Sequence, residues 1–69
     1  MKVNKEMIHF NKVGDKQKVG DLELTLLTNT EVKIKGANVD KLVNMRIDLV
    51  GLNLEVEEVK DNIQIRCVM

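Results

Sequence analysis

Serine, proline, tryptophan and tyrosine do not occur in this chain, and phenylalanine, histidine and cysteine occur once each, as Phe10, His9 and Cys67. Without serine there is no serine nucleophile. A Cys–His pair would need His9 and Cys67 side by side, with a third group to orient the base. The two stand near opposite ends of the sequence. His9 has no neighbours at metal-ligand spacing and is expected to point outward from a strand. No metal or other cofactor is expected. A single cysteine forms no disulfide within the chain and fits a reducing compartment, so the cytoplasm is the expected location. Glu55, Glu57 and Glu58 are close in sequence. An acid–base pair must face across a pocket, whereas Glu55 and Glu57 fall on one outer, solvated face. The four glycines stand singly, so no glycine-rich phosphate loop is present. The chain is not expected to be an enzyme.

Other classes are excluded by what is scarce. Eleven basic and eleven acidic residues cancel, which argues against an electrostatic, sequence-blind nucleic-acid binder. No apolar run approaches the roughly 20 residues that span a bilayer. Residues 1–6 lead into no apolar segment, so no signal peptide is expected. The length, 69 residues, is that of one domain. Such a chain buries only about 60% of its unfolded surface, and association is the remaining device for hiding more. Hydrophobic residues make up 43% of the sequence. They are almost all aliphatic, so the core must be Val, Leu, Ile and Met.

What is present is alternation. Leu22, Leu24 and Leu26 alternate with Glu23 and Thr25, and Val32 and Ile34 with Lys33 and Lys35. Met45, Ile47 and Leu49 form a third set, Leu54 and Val56 a fourth, and Ile63, Ile65 and Cys67 a fifth. A period of two places every second side chain on one face, as in a half-buried strand. Ile8 and Phe10 mark a first strand over about residues 5–13. Residues 14–18 are polar and read as a loop or hairpin end.

Registers follow from the same pattern. Pairing Leu26 with Val32 and Leu24 with Ile34 keeps both apolar sets together, with residues 28–30 as the loop. Glu23 then meets Lys35, and Thr25 meets Lys33. A slip of one residue would bury the lysines. Pairing Val56 with Ile65 and Leu54 with Cys67 sets Glu55 opposite Arg66 and Glu57 opposite Gln64, with a turn at residues 60–62. Val39, Leu42 and Val43 are spaced i, i+3, i+4, which fits one helical turn over about residues 38–43 as well as a bent strand or a loop. The alternation changes phase beside Gly51, the signature of a β-bulge. The expected fold is all-β: a small five-stranded antiparallel barrel or SH3-like sheet.

Residues 22–47 contain strand, short turn, strand, and then Asp40 and Asn44 in an Asp-x-x-x-Asn arrangement before another strand. Together with Lys60 and the final strand from Ile63 to Val68, this resembles the Sm/Hfq-like family of small β-barrels. The resemblance covers about 45 residues. It implies a bent barrel that assembles into a ring by edge-strand pairing and binds single-stranded RNA. Asn44 would read a base edge with Asp40 beside it, and Lys60 and Arg66 would hold phosphate or base.

Two further readings rest on the residues alone. The last strand, with Ile63, Ile65, Cys67, Val68 and Met69, is apolar enough to be an oligomer edge if it lies at a sheet margin. Small size and neutral charge suit a non-catalytic, self-associating module that binds another protein, such as an inhibitor or adaptor of the kind carried by phages and mobile elements. An oligomer holding a nucleotide-like ligand at its subunit seams is the other alternative.

Overall fold

The computed structural model describes residues 4–37, 39–59 and 62–68. Seven strands follow in order: β1 (Asn4–His9), β2 (Lys16–Val19), β3 (Leu22–Thr28), β4 (Glu31–Gly36), β5 (Val39–Asn44), β6 (Asn53–Val59) and β7 (Asn62–Val68). They form two antiparallel sheets, β2-β3-β4-β5 and β1-β6-β7. The sheets share one aliphatic core around the single aromatic ring. Leu22, Leu24, Leu26, Val32 and Ile34 come from one sheet and Ile8, Leu54 and Val56 from the other. Phe10, Val19 and Leu49 complete it, and all eleven are buried. No polar or charged side chain is buried among the described residues.

The paired registers agree with the alternation. Leu24 faces Ile34, Leu26 faces Val32, Glu23 faces Lys35 and Thr25 faces Lys33. Leu54 faces Cys67, Val56 faces Ile65, Glu55 faces Arg66 and Glu57 faces Gln64. The one difference at the β3–β4 turn is that Thr28 pairs with Glu31, with a register shift at Leu27, so the loop shrinks to Asn29 and Thr30.

The fold departs from a five-stranded barrel in three places, and the sheets do not close on each other. First, much of the segment expected to be a loop at residues 14–18 belongs to β2. Its polar composition reflects an edge position, where only Val19 is fully buried. The loop before it is tied by Asp15, whose Oδ2 accepts the Asn11 and Lys12 amides at 2.7 and 3.2 Å.

Second, residues 39–43 form strand β5 and no helical turn; residue 38 lies outside the described residues. Val39 and Val43 are four apart, a spacing that shares a face in either period. Leu42 discriminates: a helix would bury it with them, whereas the strand leaves it 52% exposed.

Third, Met45, Ile47 and Leu49 lie in a connection between the sheets rather than a strand. The amides of Met45 and Leu49 donate to the carbonyls of Thr30 and Asn29, both at 2.6 Å. The segment is thereby held against the β3–β4 turn. Leu49 is buried while Ile47 is exposed. Gly51, at φ +80°, turns the chain into β6, and its amide donates to the Phe10 carbonyl at 2.9 Å. The phase change is therefore a turn between elements, not a bulge inside one strand.

Gly36 ends β4 at a close approach. A Cβ there would lie 2.8 Å from Leu22 Cδ2 and 2.9 Å from the Asp21 carbonyl oxygen. The backbone oxygen cannot swing away as a side chain would. Gly36→Ala is expected to cost about 1–3 kcal/mol by overpacking. In a domain of this size each 1 kcal/mol lowers Tm by about 4–8 °C. Thermal unfolding followed by circular dichroism measures this, and an unchanged Tm would show that the β2–β3 turn yields freely.

Candidate interaction edge

Two sheets have four outer strands, and an outer strand offers unpaired backbone groups to any other strand. Here these are β2 and β5 in one sheet and β1 and β7 in the other. Their side chains treat that hazard differently. In β5, Lys41 pairs with Ile34 and so sits on the core-side face, yet it is exposed. In β1, Glu6 pairs with Val56 in the same manner and is also exposed. A charge on the core-side face of an edge strand opposes strand addition, because a neighbour would bury it. In β2, the short strand carries Lys16 and Lys18, and Gln17 Nε2 donates to the His9 carbonyl at 3.3 Å, tying β2 to the end of β1.

β7 has no such guard among the described residues. Its core-side residues are Ile63, Ile65 and Cys67, opposite Glu58, Val56 and Leu54. All three pack against the core but are only half-buried. The N-terminal strand does not cover them, since β1 pairs with the far side of β6. Val68 is half-buried on the outer face; Met69 lies outside the described residues.

The outer face of this sheet is ordered by charge. Glu55 lies between Lys5, Nζ to Oε2 at 3.3 Å, and Arg66, Nε to Oε1 at 3.5 Å. His9 points outward, with Nδ1 3.0 Å from Asn53 Oδ1. Glu55 and Glu57 share this face but are half-buried rather than fully solvated.

Of the residues singled out from the family resemblance, two share a strand and a third lies in the other sheet. Asp40 and Asn44 lie on the outer face of β5, opposite Lys35 and Glu31, with exposed Leu42 between them. Arg66 lies on β7 in the other sheet and is already paired with Glu55. Lys60 falls outside the described residues. The face that holds Asp40 carries a ladder of opposite charges across four strands: Lys18, Glu23, Lys35 and Asp40. The next row is Lys16, Thr25, Lys33 and Leu42, in which neither lysine meets a carboxylate across the ladder. An open depression of about 360 Å³ beside the first row mixes Lys18 and Lys35 with Asp21 and Glu23. No three His, Cys, Asp or Glu side chains gather as a metal site among the described residues. No helix among them is long and apolar enough to cross a membrane.

The inward charges Lys41 and Glu6 were legible only once the edges were known. An inward charge has meaning only on an outer strand, and the alternation is broken around Lys41.

Burial pushes the Cys67 thiol above its ordinary pKa. The folded chain therefore keeps this proton at a pH where the unfolded chain has lost it, so this group's contribution to stability falls as pH rises through the ordinary thiol range. The thiolate is the nucleophile. Alkylation of native Cys67 by iodoacetamide at neutral pH should be several-fold slower than in denaturant; equal rates would contradict the burial. Glu55→Ala should cost about 1 kcal/mol or less, with the difference shrinking in high salt, because both cations that face half-buried Glu55 are exposed; paired denaturation curves measure it. Comparison with protein-family models, curated proteins and solved structures finds no match for this chain.

Proposed function

We propose that this protein is a non-catalytic interaction module that binds by strand addition along the outer edge of β7. One observation carries the reading: of the outer strands among the described residues, β7 combines the absence of an inward charge, which it shares with β2, with three half-buried apolar side chains on its core side. A strand laid beside it would satisfy the edge amides and carbonyls and extend the core face. Main-chain bonding supplies affinity in this mode, and alternate side chains supply selectivity. A small adaptor or inhibitor working in a reducing compartment fits the free cysteine.

A second reading is single-stranded RNA, here laid across the outer face of the four-stranded sheet that also holds Asp40 and Asn44. The row of Lys16 and Lys33 favours it. The two readings differ in salt dependence. Phosphate binding weakens steeply with salt, whereas strand addition on apolar contacts does not.

A labelled peptide with the sequence of Asn62–Val68 serves as the probe strand, held at trace concentration while the protein is titrated into it. Fluorescence anisotropy is expected to show binding that survives high salt. Ile65→Lys places on β7 the inward charge that β5 carries as Lys41, and should abolish binding while leaving the far-ultraviolet circular dichroism unchanged. Cys67→Lys is a second variant with the same expected effect. A peptide that does not bind, or that binds the lysine variants equally, would overturn the reading.

A further inference from the structure

We infer that the strand that occupies the β7 edge is the β7 of a second copy of this chain, running antiparallel, with Ile65 opposite Ile65 across a two-fold axis. This rests on the strand-addition reading and names the partner. The argument is self-complementarity. To keep Ile63, Ile65 and Cys67 on the core side of both copies, facing residues must share the same parity, because a one-residue slip turns a strand over.

Of the registers that remain, one overlaps all seven residues of β7. It sets Asn62 against Val68, Ile63 against Cys67, Gln64 against Arg66 and Ile65 against itself. Shifting by two in one direction sets Arg66 against Arg66, and like charges directly opposed are destabilising. Shifting by two in the other direction leaves Cys67 and Val68 unpaired.

The full overlap also matches the neighbours already in the sheet. On the core face, Val56 and Ile65 of one copy continue into Ile65 and Val56 of the other. This forms an apolar row four strands wide. On the outer face, Glu55 and Arg66 continue into Gln64 and Glu57 of the second copy. Arg66 then has Glu55 on its own side and an amide beyond, with a carboxylate one strand further. No like charges meet across the seam. The two three-stranded sheets become one six-stranded sheet, and the contact is isologous and closed, as a two-fold dimer requires.

Cysteine cross-linking reads the register. Facing residues on antiparallel strands have Cα atoms about 4.5–5.5 Å apart, within disulfide reach. Ile63→Cys should therefore bridge to native Cys67 of the other copy under oxidised glutathione, giving a covalent dimer on a non-reducing gel. The wild type should not, because Cys67 lies four residues, about 13 Å, from its own symmetry mate. Positions 63 and 67 of one chain are equally far apart and cannot bridge internally. Ile65→Cys with Cys67→Ala is the second variant and should bridge to itself. Light scattering on the wild type should give twice the 7.9 kDa of the chain. Ready cross-linking of wild-type Cys67 would overturn the register. A mass of one chain without cross-linking in either variant would overturn the second copy as occupant. If the probe peptide still binds in that case, strand addition stands and only the partner is wrong; if it does not, both fall.

Discussion

Backbone amides and carbonyls at a sheet margin must meet water, a side chain or another strand, and this chain has four such margins around one small core. Several of its charged residues can be understood from that constraint. Lys41 and Glu6 face the core side of outer strands while remaining exposed, where they contribute nothing to packing. They make the β5 and β1 edges poor neighbours for another strand. β2 is short, lysine-bearing and tied to β1 through Gln17. β7 has none of these features and instead presents Ile63, Ile65 and Cys67 in a half-buried row. Three margins carry such features and one does not.

The size of the core gives that difference a reason. Eleven buried side chains, one of them aromatic, hold two sheets together with no disulfide. Packing thins toward β7, where side chains that would be interior in a larger domain are half-exposed. A small domain gains most where further apolar surface can still be covered. A neighbouring strand at β7 would cover such surface without disturbing any registered pair. The charge rows on the outer faces, including Lys5–Glu55–Arg66, set register and solubility more than stability, since exposed pairs contribute little.

Much of the fold was legible in the sequence, and the exceptions share a cause. Period-two patterning is strong where one face is buried and the other solvated. The β3–β4 and β6–β7 pairings could accordingly be read residue by residue from Leu24 and Ile34 or from Leu54 and Cys67. It fails at the margins. Lys16 to Val19 looks like a loop because an outer strand buries little. Val39 and Val43 fit helix and strand equally, and only exposed Leu42 separates them. Met45, Ile47 and Leu49 alternate but are held by main-chain bonds to the β3–β4 turn, which no side-chain pattern announces. Of the candidate sites, the β7 edge was visible as an apolar terminal strand. Asp40 and Asn44 fall in one sheet and Arg66 in the other, a separation that linear spacing does not reveal.

Amide hydrogen exchange along β7, followed by NMR on the full chain, tests the central claim most directly. Alternate amides of an outer strand point away from its neighbour and have no partner unless another strand is present. Those of β7 that turn away from β6 should be protected to the same degree as those bonded to β6. If they exchange as fast as loop amides while their β6-facing neighbours stay protected, the edge is bare and the account is contradicted.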